Sequence, residues 1–174
     1  MFPMVSTVEE LREAKAMVRQ ARRTVGDAQP SALDVGIMVE VPAAVIMADI
    51  LAQECDFFSI GSNDLTQYVM AADRGNRHVA SLYSAAQPAV LRMIARTVEA
   101  AHKAGRWVGI CGEAGGDPQL TPLWLGLGID ELSMAAPLIP AVKEAILNRS
   151  ASDCRELAAK ALSCAALDEV MKLL

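Results

Sequence analysis

The chain has 174 residues, 53% of them apolar, which is enough for one sizeable core and excludes a disordered or fibrous class. Its formal net charge of −5 gives no long-range attraction to nucleic acid or to an anionic membrane, so an anionic ligand has to be captured by local cations or a metal. The four cysteines, at 55, 111, 154 and 164, lack the close pairing of a zinc site or a stapled secreted scaffold and read as reduced thiols of a soluble, cytoplasmic protein. The opening MFPMVSTVEE has no basic n-region, and the longest apolar stretch, 122–142, is broken by Asp130 and Glu131, so neither a signal peptide nor a membrane span is expected.

Residues 2–5 read as a short strand, followed by a capping box of Thr7 with Glu10, or Ser6 with Glu9, ahead of the helical LREAKAMVRQARR. The basic last turn of that helix complements its dipole. A second apolar strand is expected at 34–41, then a helix that Pro42 opens at its first position and AAVIMADILAQE continues. A third strand, 57–61, precedes the polar SND. The amphipathic PAVLRMIARTVEAAHKAG predicts a long helix ending at Gly105, which feeds a fourth strand at 107–111. A helix near 118–126, a fifth strand at 131–134 and a helix at 138–148 follow. The polar turn RSASD then leads to an Ala-rich helical pair, about 152–172.

Short apolar strands alternating with helices predict a parallel α/β sheet with right-handed crossovers, either open and doubly wound or part of a (β/α) barrel. No GxGxxG follows the first strand. A closed eight-stranded barrel takes about 250 residues, so five units make little more than half of one. A truncated barrel of about five βα units in a single domain over 1–174 therefore stands beside the open sheet as an expected architecture.

Polar residues collect where such strands end. Glu40 closes GIMVE, Asn63 and Asp64 follow the third strand, and Cys111 and Glu113 close ICGE, all at the sheet end where α/β active sites lie. Two carboxylates in a buried mouth repel unless a hard cation such as Mg²⁺ sits between them, a role that suits Glu40 and Asp64. Arg74, ten residues after Asp64, carries a planar fork of donors for a carboxylate or phosphate. Cys111, a neutral thiol, can give a proton to carbon. Each residue also has an ordinary reading: Glu40 as an ion-pair partner, Asn63 and Asp64 as an Asx turn or helix cap, Cys111 as a core thiol, Arg74 as a solvated loop residue.

DFFSIGSNDLTQYVMAADR, 56–74, resembles the second signature of the phosphoenolpyruvate-utilising enzymes along its whole length, and GIMVE and ICGE are similar to that family's other active-site strand ends. The wording AADRGN, SLY and MFPM is most similar to the enzyme I branch of the bacterial sugar phosphotransferase system. The resemblance implies that phosphoenolpyruvate binds with Mg²⁺ at a barrel mouth and passes its phosphoryl group to a histidine on another domain, then to the histidine phosphocarrier protein, leaving pyruvate. It implies Glu40 and Asp64 as metal ligands, Asn63, Asp64 and Arg74 as substrate-binding residues, Cys111 as the proton donor, and Glu113 as a supporting residue. Homodimerisation is also implied, and so is the architecture: the C-terminal part, about five βα units, of a (β/α)8 TIM-type barrel, with 150–174 as its helical extension. Neither of the two histidines, His78 in a loop and His102 at a helix end, resembles the phosphoryl acceptor. Pyruvate phosphate dikinase and phosphoenolpyruvate synthase share GSNDLTQ and CGE, and a noncatalytic module retaining the barrel surface is the alternative from another class.

Overall fold

A computed structural model describes residues 1–25 and 33–174. The expected capping box forms through Thr7 and Glu10. The Glu10 backbone N–H donates to Thr7 Oγ1 at 3.2 Å, while the Glu10 carboxylate accepts from Ser6 and Thr7 N–H at 2.8 and 3.0 Å. These bonds satisfy the orphan donors that open α1 (Val8–Val25), whose Leu11 is buried.

Among the described residues, four strands form one parallel sheet in sequence order: β1 (Ile37–Val39), β2 (Phe57–Gly61), β3 (Trp107–Cys111) and β4 (Glu131–Leu132). The bounds of β2 and β3 are those expected, while β1 and β4 are shorter. The first expected strand is reduced to a single parallel bridge from Phe2 to Ile37, because the chain turns at Met4, whose φ of 56° is incompatible with an extended strand.

The helix expected after Pro42 divides at Met47 into α2 (Pro42–Ile46) and α3 (Ala48–Glu54). Composition alone hides this break, since no residue in AAVIMADILAQE is a helix breaker. After β2 comes α4 (Ser62–Met70), with no intervening loop, and after a long connection α5 (Pro88–Lys103). The remaining helices are α6 (Thr121–Leu127), α7 (Ile139–Leu147), α8 (Ala151–Ser163) and α9 (Leu167–Met171).

Strand parity sorts the side chains. Ile37, Phe58 and Val108 stand in register, as do Val39, Ile60 and Ile110, and all six are fully buried in the core that also holds Leu51, Leu91 and Ile94 of the helices. The opposite face carries the row Met38, Ser59, Gly109, Glu131, and above it Gly61 paired with Cys111, beside Glu40 one residue past β1. The core therefore lies between sheet and helices, and the polar rows line what is the inner face of a barrel arc.

The C-terminal helices are tied to this frame. Arg92 of α5 donates to the carbonyls of Leu162 and Cys164 at 3.2 and 3.1 Å. Gly126 lets α6 approach the Cys154 backbone of α8 so closely that any Cβ would collide with it. All four cysteines are free, as expected for reduced thiols.

Candidate functional site at the strand ends

Glu40 is 2% exposed, an unusual state for a carboxyl. Its Oε1 accepts the Met4 backbone N–H at 2.8 Å, and its other partner is Asp64, within hydrogen-bonding reach. Burial pushes the Glu40 carboxyl above its ordinary range; the Met4 amide opposes this, and the neighbouring Asp64 adds to it. Met4 holds its amide there from the left-handed region, so a rarely populated backbone conformation coincides with the most buried carboxyl among the described residues.

Asp64 reaches Glu40 because α4 starts directly at Ser62. A helix beginning at a strand end points its first turn across the sheet end, and its N-terminal N–H groups favour a carboxylate there. Gly61 makes the juxtaposition sterically feasible, since a Cβ at that position would lie 2.5 Å from Glu40 Oε2 and 2.9 Å from Glu40 Cβ.

Cys111 ends β3 on the same face. Its thiol donates weakly to the Ile60 carbonyl at 3.5 Å and lies near the hydroxyl of the buried Ser59. Burial raises its pKa above the ordinary thiol value; Ser59 lowers it, and the charges of Glu40, Glu131 and Asp64 raise it further. The thiol therefore stays protonated at neutral pH and faces the carboxyl pair.

The turn after Cys111 is locked to α4. Ser62 Oγ donates to the Cys111 carbonyl at 2.6 Å, and the Glu113 backbone N–H donates to Asn63 Oδ1 at 3.2 Å. With its oxygen so occupied, Asn63 has its Nδ2 hydrogens left to donate. Gly112, at φ +84°, is required at this approach, because a Cβ would meet Ser62 Oγ at 2.6 Å and Asn63 Oδ1 at 2.9 Å.

The structure thus gathers Glu40, Asp64 and Cys111, and joins Asn63 to the Glu113 backbone. Arg74 stands one side chain away. It is exposed in the loop after α4, where its N–H donates to Gln67 Oε1 at 3.3 Å and its charged side chain neighbours the hydroxyl of Tyr83, which donates to the Asn63 carbonyl at 3.1 Å. A pocket of about 200 Å³ beside this junction is lined by Ser62, Asn63, Tyr83, Glu113 and Asp117, among others.

His78 is exposed, and His102 pairs with Asp130 at 2.9 Å at the opposite end of the sheet, where Asp130 also accepts the Val108 N–H. Ser59, Ser62, Tyr83 and Glu131 adjoin these groups and are not singled out by the sequence. Strand parity carries a signal for Ser59 and Glu131, both of which share the face of Cys111; Tyr83 has none, because a long loop brings it back.

A family model described as "PEP-utilising enzyme, PEP-binding domain" matches residues 1–151. The chain belongs to this family. Among curated proteins, the chain is 46% identical over 176 residues to phosphoenolpyruvate-protein phosphotransferases of Staphylococcus carnosus and Staphylococcus aureus. It is 45% identical over 174 residues to the phosphotransferase of Bacillus sp. (strain S). The alignment covers 99% of this chain and 31% of each staphylococcal relative, or 98% and 30% for the Bacillus protein, so the chain spans about a third of the length of these relatives. No helix among the described residues is long and apolar enough to cross a membrane.

Proposed function

We propose that the chain is the phosphoenolpyruvate- and Mg²⁺-binding portion of a cytoplasmic phosphoenolpyruvate-protein phosphotransferase, the enzyme I of a sugar-uptake system. The observation that carries the reading is the meeting of Glu40, Asp64 and Cys111 at three successive strand ends of one sheet face.

Glu40 and Asp64 fit the metal. Two carboxylates in hydrogen-bonding reach, one deeply buried, form a hard oxygen donor set, and Mg²⁺ needs one or two carboxylates when water and substrate oxygens complete its shell. When bound, the ion supplies Lewis-acid stabilisation of negative charge on the substrate oxygens. Asn63 offers its Nδ2 hydrogens, and Arg74 its guanidinium, to the carboxylate and phosphate. As the phosphoryl group leaves for a histidine on another domain, pyruvate enolate remains. Cys111 then protonates the methylene carbon: its S–H bond breaks, a C–H bond forms, and a thiolate is left to be reprotonated. Glu113 supports the site through its backbone bond to Asn63.

In this reading residues 150–174 are a helical extension of the partial barrel, His78 and His102 take no part in transfer, and the histidine phosphocarrier protein meets the enzyme through another domain. The protein works as a homodimer. Calorimetry of the chain with phosphoenolpyruvate, with and without Mg²⁺, tests the proposal. Metal-dependent binding that disappears in Asp64→Ala is expected; binding indifferent to Mg²⁺ or to Asp64, or no binding, would overturn it for this chain.

A further inference from the structure

Arg74 poses a physical problem for any anion site. An exposed loop arginine retains most of its rotamer freedom, and fixing it on a ligand costs side-chain entropy. Its neighbour Tyr83 is placed to reduce this cost. Tyr83 is anchored by donating its single hydroxyl proton to the Asn63 carbonyl at 3.1 Å, and the Arg74 side chain lies near the phenolic oxygen, whose lone pairs are available to accept from the guanidinium. The ring is partly buried beside the first turn of α4, and Tyr83 follows a short 3₁₀ turn, Ala80–Leu82, with its backbone N–H bonded to the Ala80 carbonyl at 3.1 Å. At its other end the loop is held by the bond between the Arg74 N–H and Gln67. A single hydroxyl therefore stands between the arginine and the backbone of Asn63.

We propose that Tyr83 is a positioning residue that pre-orders the Arg74 guanidinium beside Asn63, so that the two donate to the ligand anion as one preformed unit. The inference rests on the phosphoenolpyruvate reading for its ligand, but the tether itself needs none. Tyr83 acts through Arg74 and the Asn63 backbone and does not touch the reacting atoms. The remaining donors of the guanidinium fork stay free for a carboxylate or phosphate.

Two measurements on the full chain test it. In the ligand-free protein, ¹⁵N NMR of the Arg74 guanidinium, assigned by its loss in Arg74→Lys, should show restricted rotation that Tyr83→Phe releases. Incorporating 3-fluorotyrosine gives two ¹⁹F signals, Tyr68 and Tyr83, and Arg74→Ala should move the Tyr83 signal and leave that of Tyr68, a readout that does not require Tyr83→Phe to fold. Unrestricted Arg74 in the parent chain, or an immobile Tyr83 signal, overturns the tether. In the second measurement Tyr83→Phe weakens phosphoenolpyruvate binding in the presence of Mg²⁺ by about five- to tenfold, the effect of one hydrogen bond. In an Arg74→Ala background it changes affinity by less than about twofold. Equal losses in both backgrounds mean a merely structural tyrosine and refute the proposal. An Arg74→Ala chain that binds as well as the parent refutes instead the anion role of Arg74, while the NMR result still reads the tether.

Discussion

Glu40→Gln removes a charge from the most buried carboxyl of the site while keeping its shape, and the structure sets the sign of the outcome. The carboxamide oxygen that replaces a carboxylate oxygen can still accept the Met4 N–H, bonded at 2.8 Å in the parent, and the new amide group can donate to Asp64. What is lost is the desolvation of a carboxylate and its repulsion by Asp64. Two charges 4 Å apart interact by about 1 kcal/mol in water and about 4 kcal/mol at an effective dielectric of 20. The pair opens to solvent on the Asp64 side and Met4 offsets part of the repulsion, so the lower half of that range applies, about 1–2 kcal/mol. The sign in pH follows from a folded-state pKa raised above the ordinary 4.5. The native state binds the extra proton, so Glu40 is harmless below the ordinary range and costs stability as pH rises through its raised pKa. Urea unfolding of the metal-free chain at pH 7 should therefore show Glu40→Gln more stable than the parent by about 1–2 kcal/mol, worth about 3–6 °C in Tm. The gap should shrink as the pH is lowered to about 4, where the parent is neutral too. The same variant should lose Mg²⁺-dependent phosphoenolpyruvate binding, a trade of function against stability. A Glu40→Gln chain that is less stable at pH 7, or a difference that does not change with pH, would refute the account of this site.

Gly61→Ala introduces a Cβ 2.5 Å from Glu40 Oε2 and should cost about 1–3 kcal/mol in denaturant unfolding while abolishing Mg²⁺-dependent binding; retention of both would mean that the carboxyl yields freely. The Cys111 thiol, raised by burial, Glu40, Glu131 and Asp64, should be alkylated by iodoacetamide with a pH midpoint above the ordinary 9. Peptide mass spectrometry separates it from Cys55, whose pKa is pushed up to about 11. Removing one of the raising charges in Glu40→Gln should lower the Cys111 midpoint, and an unchanged midpoint would separate the thiol electrostatically from the carboxyl pair.

Much of this protein was legible before folding because the relevant physics is local. The apolar runs of β2 and β3 carry their own limits, Thr7 and Glu10 cap α1 across three residues, and Pro42 and Pro88 mark helix starts that the backbone obeys. Chemistry-bearing residues placed at strand ends also announced that they would gather at one end of the sheet, since parallel strands align their C-termini. Tertiary structure alone decided the rest. Met4 bends out of the sheet to present an amide to Glu40, thirty-six residues away, and α2 and α3 part at Met47 without any breaker in the sequence. The orientation of Asn63 is set by the Glu113 amide, and a long loop brings Tyr83 back onto the Asn63 carbonyl beside Arg74. Residue types and spacings determined which groups this chain brings to its site. Their protonation, orientation and order depend on burial and on hydrogen bonds between distant segments, which exist only after the chain has folded.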